Sequence, residues 1–339
     1  MNIYIKNAAQ VSIQQPLCDD WMTAPVLPSQ QLEHAIEPDY KPFIASMQAR
    51  RMSNVLKRAI SSAKTATLGM AGDTLDGILT GTGLGCISNT RKYLQSMLEG
   101  GEEGLSPSLF MQSTQNTIGS QIAIALQCHN YNITFSHRGT SFDSALYNAL
   151  LKFELGEFHN ALVCGVDEMD EECFAITEEL EQSPDLENVP FHAPFYGENA
   201  VSLLLTDSSN DALCKIAGDL LFRPSDEKLL SSLKKINSEN RLIDAIILGT
   251  NGELENDREY DRLHQLLCPN AVKICYKCIF GESFSMSSIG VYVGAKIIEK
   301  GFVPEFLQSS GEKGIRPNTV LVVNHFHATD YSLTLLTSC

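Results

Sequence analysis

Tyr131 to Glu168 reads YNITFSHRGTSFDSALYNALLKFELGEFHNALVCGVDE, and this stretch decides the fold. Ile133-Thr134-Phe135 is a short β-branched and aromatic run, which favours a strand. Beyond it, Ala145, Leu146, Ala149, Leu150 and Phe153 recur with the spacing of one helix face. Thr140 or Ser141 is placed to cap that helix, Gly139 supplies permissive backbone at the turn, and Gly156 marks the stop. Ala161-Leu162-Val163-Cys164-Gly165-Val166 is apolar throughout, as a strand buried on both faces is. The predicted order is strand, turn, helix, strand. A helix that opens in a buried turn offers unpaired N–H groups and a positive dipole end, which lower a thiol's pKa and steady a developing oxyanion. The turn suits acyl chemistry, yet no cysteine or serine stands at the point where the nucleophile is expected.

Short motifs elsewhere follow one another in a consistent order. Met1-Asn2-Ile3-Tyr4-Ile5 reads as a first strand, and Ala49-Arg50-Arg51-Met52-Ser53 as the entry to a long helix through Ala66. Ile78-Leu79-Thr80 leads into Gly81-Thr82-Gly83-Leu84-Gly85, and Leu105-Ser106-Pro107-Ser108-Leu109-Phe110 precedes Asn116-Thr117-Ile118-Gly119. Gly165-Val166-Asp167-Glu168 ends one strand, and Tyr196-Gly197-Glu198-Asn199-Ala200 opens another, Val201 to Leu205. Taken in this order the motifs resemble those of β-ketoacyl-acyl carrier protein synthases, condensing enzymes of the thiolase fold, over nearly the whole chain. The resemblance implies a five-layered αβαβα fold of two similar halves, with a pocket between them.

Laying the family's Thr-Ser pair on Thr140-Ser141 and its post-helix glycine on Gly156 puts the catalytic cysteine at Gly139, and glycine cannot form a thioester. One family histidine sits in a His-Gly-Thr turn after a strand, where it hydrogen-bonds the developing enolate. Here Ala245-Ile246-Ile247 and Gly249-Thr250-Asn251-Gly252 match, with Leu248 in the histidine's place. A second histidine follows the pattern Lys-x-x-x-Gly-His. Lys277-Cys278-Ile279-Phe280-Gly281-Glu282 keeps the lysine and glycine and puts Glu282 in its place. A carboxylate repels a forming enolate unless protonated, whereas imidazole donates a hydrogen bond. The family's Asn-x-Phe-Gly-Phe-Gly-Gly loop appears as Asn324-His325-Phe326-His327-Ala328-Thr329-Asp330, with its glycines gone. Relatives with glutamine for cysteine still decarboxylate through their histidines; here all three positions differ. The resemblance therefore points to the family's non-catalytic chain-length-factor subunits, with no catalytic residue expected at Gly139, Leu248 or Glu282.

Other readings of these residues stay open. Ser136, His137 and Ser141 flank Gly139 and allow a displaced Ser–His couple, although neighbouring strand residues point to opposite faces. The alternatives are a loop or dimer contact for His137-Arg138 and a helix cap for Ser141. His325 and His327 at i, i+2 can share one face of an extended segment and bind a metal, or line a cavity or interface. Two ligands without an obvious third favour the latter, so no metal is expected. Lys277 stands as a pocket residue by its place in the family pattern. Cys275-Tyr276-Lys277-Cys278 is a CxxC without a second pair or an evident thioredoxin-like strand–helix junction, so buried cytosolic thiols are the simpler reading. Gly81 to Gly85 lacks the spacing of a dinucleotide fingerprint and the Lys-Ser/Thr of a P-loop, so a tight strand-to-loop turn explains it better. No cofactor is expected.

With 339 residues, 43% of them hydrophobic, the chain can bury a large core in one unit or two similar halves. A formal net charge of −16 and a pI near 4.9 disfavour nucleic acid and anionic membrane as partners. Carrier proteins of this family's chemistry are acidic too, so docking one requires a local basic patch. Arg50, Arg51, Lys57 and Arg58 are candidates, with a solvated helix face as the default. The run Asp167-Glu168-Met169-Asp170-Glu171-Glu172 reads as solvated surface. There is no basic-then-apolar leader and no apolar run of membrane-spanning length, so a soluble cytoplasmic protein is expected, consistent with free thiols.

The N-terminal half is expected over 1–207, followed by a polar linker Ser208-Ser209-Asn210-Asp211, and the C-terminal half over 208–339. Relative to typical synthases the chain is short around Cys173 to Pro194 and Arg223 to Arg241, where the family has loops over the pocket. Three functions fit. One is a non-catalytic subunit pairing with an active ketosynthase in fatty-acid, aryl-polyene or polyketide type biosynthesis. The others are a 3-oxoacyl-ACP synthase or acyltransferase using non-standard residues, and an acyl- or carrier-protein-binding homodimer. In a dimer of this fold the Tyr131–Phe135 strand meets its counterpart.

Overall fold

Residues 2–101, 104–181 and 195–339 are described by the computed structural model. The first half runs β1 (Ile3–Ser12), β2 (Leu32–Glu33), α1 (Ser46–Ala49), α2 (Asn54–Ala66), β3 (Gly77–Gly81), α3 (Ile87–Gly100), α4 (Pro107–Gln112), α5 (Thr117–Leu126), β4 (Tyr131–Phe135), α6 (Ser141–Glu154), β5 (Asn160–Asp167), α7 (Glu171–Glu181), β6 (Tyr196–Gly197) and β7 (Asn199–Thr206). The second runs β8 (Cys214–Phe222), α8 (Asp226–Ile236), β9 (Ala245–Leu248), α9 (Leu254–Leu267), β10 (Val272–Cys275), α10 (Lys277–Phe280), α11 (Ser287–Lys300), β11 (Gln308–Ser310), β12 (Thr319–Phe326) and β13 (Asp330–Thr337). Strands β2 and β6 form a separate two-stranded sheet. The rest form one eleven-stranded sheet in the order β11-β10-β9-β12-β13-β8-β1-β7-β5-β3-β4.

The sheet repeats itself about the β1–β8 junction. Outward from β1, the pairings to β7, β5, β3 and β4 are antiparallel, antiparallel, parallel and parallel. Outward from β8, the pairings to β13, β12, β9 and β10 follow the same sequence. Side-chain alternation then separates three cores. Leu79, Ala161, Val163, Ala245, Ile247, Val320 and Val322 turn to a core shared with α6 and α11. Ile78, Leu162 and Cys164 turn the other way, onto α2 and α5, and Ile246, Leu248, Leu321 and Val323 onto α8 and α9. The result is the five-layered αβαβα arrangement of two similar halves.

Helix α11 is apolar almost all round because it is covered on nearly every side. Every residue of α11 from Ser287 to Ile298 is buried, and Gly294 lets β13 approach: a Cβ there would lie 2.7 Å from Leu336 Cδ1. Helix α6 ends as its sequence indicates, with Gly156 at φ +71° and its amide on the Phe153 carbonyl at 2.9 Å. Two local expectations fail. The Ala49-Arg50-Arg51-Met52-Ser53 motif does not open one long helix: α1 ends at Ala49, and α2 begins at Asn54 after a turn. Arg58 does not belong to an exposed basic patch, because it is buried between Glu37 and Glu198, 2.6 and 2.7 Å away. Of the two shortened regions, Cys173 to Pro194 begins in α7 and lies outside the described residues from 182 to 194, and Arg223–Arg241 contains α8, packed on α9.

Gly81, at the end of β3, sets the distance between this strand and the first turn of α6. A Cβ at 81 would lie 2.4 Å from both Phe142 N and Phe142 Cα, backbone atoms that cannot step aside. Gly81→Ala should therefore cost about 3 kcal/mol or abolish soluble expression. Gly100→Ala, where a Cβ meets nothing within 4 Å, should leave the urea midpoint unchanged or slightly raised. Equal midpoints for the two variants would contradict this packing.

Candidate functional site at the entry to α6

The chain enters α6 through a 3-10 turn, Arg138–Thr140. The left-handed residue of this turn is Arg138, at φ +52°, and not Gly139. Nor does Thr140 or Ser141 cap the helix amides. Thr140 Oγ1 donates to the His137 carbonyl at 3.0 Å; Ser141 Oγ donates to the Arg138 carbonyl at 2.7 Å and accepts from the His137 amide at 2.9 Å. Both hydroxyls hold the turn itself. What Gly139 provides is room, since a Cβ there would lie 2.3 Å from Phe326 Cδ2. The ring of Phe326 occupies the space that a nucleophilic side chain at 139 would need.

Phe326 ends β12 and is held there by its own strand. Asn324 Nδ2 donates to the Gly139 carbonyl at 2.9 Å and to Asp143 Oδ2 at 2.8 Å. Asp143 is fully enclosed and also accepts from Ser287 Oγ at 2.9 Å and Ser332 Oγ at 2.5 Å. Burial raises its pKa, against the lowering effect of these donors. Phe326 lies edge-on to His327 at 4.2 Å and tilted to Phe284 at 6.3 Å. Phe284 in turn lies against Gly83, where a Cβ would meet its Cβ at 2.2 Å.

Lys277 and Glu282 form a buried ion pair, Nζ to Oε2 at 2.6 Å, and Glu282 Oε2 also accepts from Asn251 Nδ2 at 2.9 Å. The Glu282 carboxylate is thus engaged by a cation and an amide. The neighbouring Gly249 admits Tyr260 and Lys277, which a Cβ would meet at 2.3 Å (Oη) and 3.2 Å (Cε). Tyr260 Oη donates to Asn324 Oδ1 at 3.3 Å and so links this side to the α6 entry. Leu248 is not part of the cluster: its side chain lies in the outer core with Tyr260, Leu263 and Val323.

His325 and His327 do not share a face. His325 is buried with its ring 4.2 Å from that of Tyr260, and its Nε2 lies 3.3 Å from the Asn256 carbonyl; burial pushes its pKa down to about 4. His327 is exposed, beyond the strand end, in a turn where it and Ala328 both take φ +51°. Ser136 and His137 are exposed, and the His137 partner is Ser144, Nδ1 to Oγ at 2.9 Å, in place of Ser136 or Ser141. Among the described residues no three His, Cys, Asp or Glu side chains gather as a metal site.

The acidic run Asp167 to Glu172 is not all solvated surface. Asp167 is buried and accepts from Thr82 Oγ1 at 3.0 Å and the Gly83 and Leu84 amides at 3.0 and 2.8 Å; Glu168 is buried and accepts from the Ser88 amide at 3.1 Å. Burial carries Glu168 up to about 7. The Gly83 and Leu84 amides of the Gly81–Gly85 turn are thus taken by a carboxylate of the protein. Glu198 ties this layer to Arg58 and His34, which hold its pKa down against the effect of burial. Sequence reading passed over Asp143, Asn324 and Phe326 as partners. The one available signal was a buried-face aspartate at the third position of an otherwise apolar α6 stripe.

A model of the β-ketoacyl synthase N-terminal domain matches residues 19–214. The chain belongs to the β-ketoacyl synthase family. Among solved structures, this family member is similar to the ishigamide ketosynthase/chain length factor, with TM-score 0.80 and 15% identity over 100% of this chain and 99% of that one. It is also similar to a β-ketoacyl synthase from Burkholderia phymatum STM815, with TM-score 0.78 and 12% identity at 100% and 99% coverage. A third similar structure is a type II PKS acyl-carrier protein in complex with its ketosynthase bound to the hexaketide, with TM-score 0.75 and 11% identity at 100% and 99% coverage. These likenesses show the thiolase-like ketosynthase fold. Among curated proteins no sequence match is found.

Two outcomes test the site. Gly139→Cys should destabilise this ketosynthase-family chain by about 3 kcal/mol, and a Gly139→Cys/Phe326→Ala double variant should lose less than the sum of its single changes. Strict additivity in urea unfolding would mean the two positions do not interlock. His325 titrates near 6.5 when unfolded and about 4 when folded, so its contribution is complete above about pH 6.5 and is lost as pH falls toward 4. Glu168 acts in the opposite sense: raised to about 7, it contributes at acid pH and loses that contribution as pH rises through 7. The comparison with His325→Phe isolates the histidine. Between about pH 7 and about pH 4.5 the wild type should lose roughly 2–3 kcal/mol more than the variant. Parallel pH profiles would exclude a buried neutral histidine.

Proposed function

We propose that this chain is a non-catalytic, chain-length-factor-like subunit that partners an active ketosynthase in fatty-acid, aryl-polyene or polyketide type biosynthesis. One observation carries the reading: at Gly139 the space for a nucleophile is filled by the Phe326 ring, with 2.3 Å between a Cβ and Phe326 Cδ2. Covalent acyl transfer needs an activated nucleophile there, and a single substitution does not make room for one. The Lys277–Glu282 pair supports the same reading, because a carboxyl group held by a cation and an amide stands where the resemblance implies an imidazole donor.

The partner surface we assign to this role is β4, the terminal strand of the large sheet, with Ser136, His137 and Arg138 exposed at its end. Its outer backbone groups can continue a sheet into a second subunit. The ishigamide ketosynthase/chain length factor supports this pairing by likeness, and the ketosynthase solved with an acyl-carrier protein supports a carrier protein as a partner of the assembly. The role belongs to the cytoplasm, and among the described residues no helix is long and apolar enough to cross a membrane. A second reading, an acyltransferase using other residues, rests on the His137–Ser144 contact at 2.9 Å.

Co-expression with an active ketosynthase, purification and a condensation assay with acyl and malonyl carrier proteins test the proposal. The chain should co-purify with the synthase and shift its product lengths, while alone it should neither condense nor take an acyl label. Condensation or a covalent acyl group on the isolated chain, at Ser144 or elsewhere, would falsify the non-catalytic role. Failure both to associate and to alter products would remove the subunit role instead.

A further inference from the structure

Cys275 is the last residue of β10, and Cys278 lies in the first turn of α10, so the CxxC does span a strand-to-helix junction, contrary to the sequence expectation. The corner between them is firmly seated: Tyr276, Ile279 and Phe280 are buried, and the amides of Ile279 and Phe280 both return to the Tyr276 carbonyl at 3.2 Å. Cys278 is exposed, and its Sγ donates to the Cys275 carbonyl oxygen at 3.0 Å. Cys275 is half-buried, with its Sγ on the Thr250 carbonyl at 3.3 Å. The Cys278 sulfur thus lies on the Cys275 backbone across a fixed strand-to-helix turn, with the Cys278 thiol open to solvent and the two cysteines only three residues apart.

We propose that Cys275 and Cys278 form a thiol–disulfide exchange site that closes reversibly to a disulfide in the presence of a small-molecule disulfide such as oxidised glutathione. The neighbouring Cys278 thiol and the Thr250 carbonyl contact, opposed by burial and by the nearby Asp257, bring the Cys275 thiol down to about 6, while the Cys278 thiol is raised. Lys277, the charged residue between them, directs its amine to Glu282. The buried Cys86, Cys164 and Cys268, by contrast, are pushed up to about 12 by burial and stay inert. In the exchange, the Cys275 thiolate attacks one glutathione sulfur, forms a mixed disulfide and expels a glutathione thiolate. Deprotonated Cys278 then attacks the Cys275 sulfur, closes the intramolecular bond and expels the second glutathione. Two electrons pass from the protein to the glutathione disulfide, and the two protons leave with the two reduced glutathiones.

Full-length protein equilibrated in glutathione buffers, alkylated and mapped by peptide mass spectrometry tests this. Oxidised glutathione should protect Cys275 and Cys278 together, with loss of two hydrogens from their peptide, and dithiothreitol should restore both. Cys278→Ser, at an exposed position that keeps the fold, should instead trap glutathione on Cys275. In the wild type the alkylation of Cys275 should titrate with a midpoint near 6, moving above about 8 in Cys278→Ser. The proposal is overturned if both thiols stay free in oxidised glutathione, or if the wild-type midpoint already lies above about 8.

Discussion

The carboxyl of Asp143 is the point on which the molecule's middle depends. It lies on α6, in the layer between the two halves of the sheet, and gathers Ser287 of α11, Asn324 of β12 and Ser332 of β13. All three donors come from the second half, so one first-half side chain fixes the central helix against its counterpart. A polar group so deeply buried is stable only when its donors are in place, since each missing one leaves its full desolvation cost exposed. The same Asn324 grips the Gly139 carbonyl and, through the strand it belongs to, sets Phe326 two residues on. Structural support and the filling of the site are therefore one arrangement.

That arrangement governs how the region around Gly139 is filled. The helix entry, the strand β9 with its following turn and the lysine of α10 all occupy a thiolase-like framework. Within it, Phe326 and Phe284 fill the space around Gly139 and Gly83, and Lys277, Glu282 and Asn251 satisfy one another. Charges that would be costly to bury alone are neutralised locally. The region around Gly139 is knit together by its own residues.

Much of the fold was legible in the sequence because its signals are local. The β-branched run of β4, the apolar stripe of α6, Gly156 at its end and the apolar β5 each specify backbone geometry within a few residues. Charge burial was not legible. Arg58 reads as part of a basic patch, and Asp167 and Glu168 as the start of a solvated acidic run. Each is buried by partners distant in sequence: Glu198 for Arg58, the Gly83 and Leu84 amides for Asp167, the Ser88 amide for Glu168. The contact between Gly139 and Phe326 was hidden for the same reason, since spacing says nothing about which side chain arrives from the other half. The strand–helix corner at Cys275 was missed because α10 is only four residues long, too short to leave a periodic pattern.

The close fit of Gly139 against Phe326 also restricts the order in which substitutions can accumulate at this site. Any side chain placed at 139 first meets an aromatic ring held by a strand that Asn324 anchors, so that step is penalised before any benefit can follow. Shrinking residue 326 first leaves a cavity against the α6 entry, which has its own cost. The low-cost routes between an occupied and an open site therefore pass through paired changes at 139 and 326.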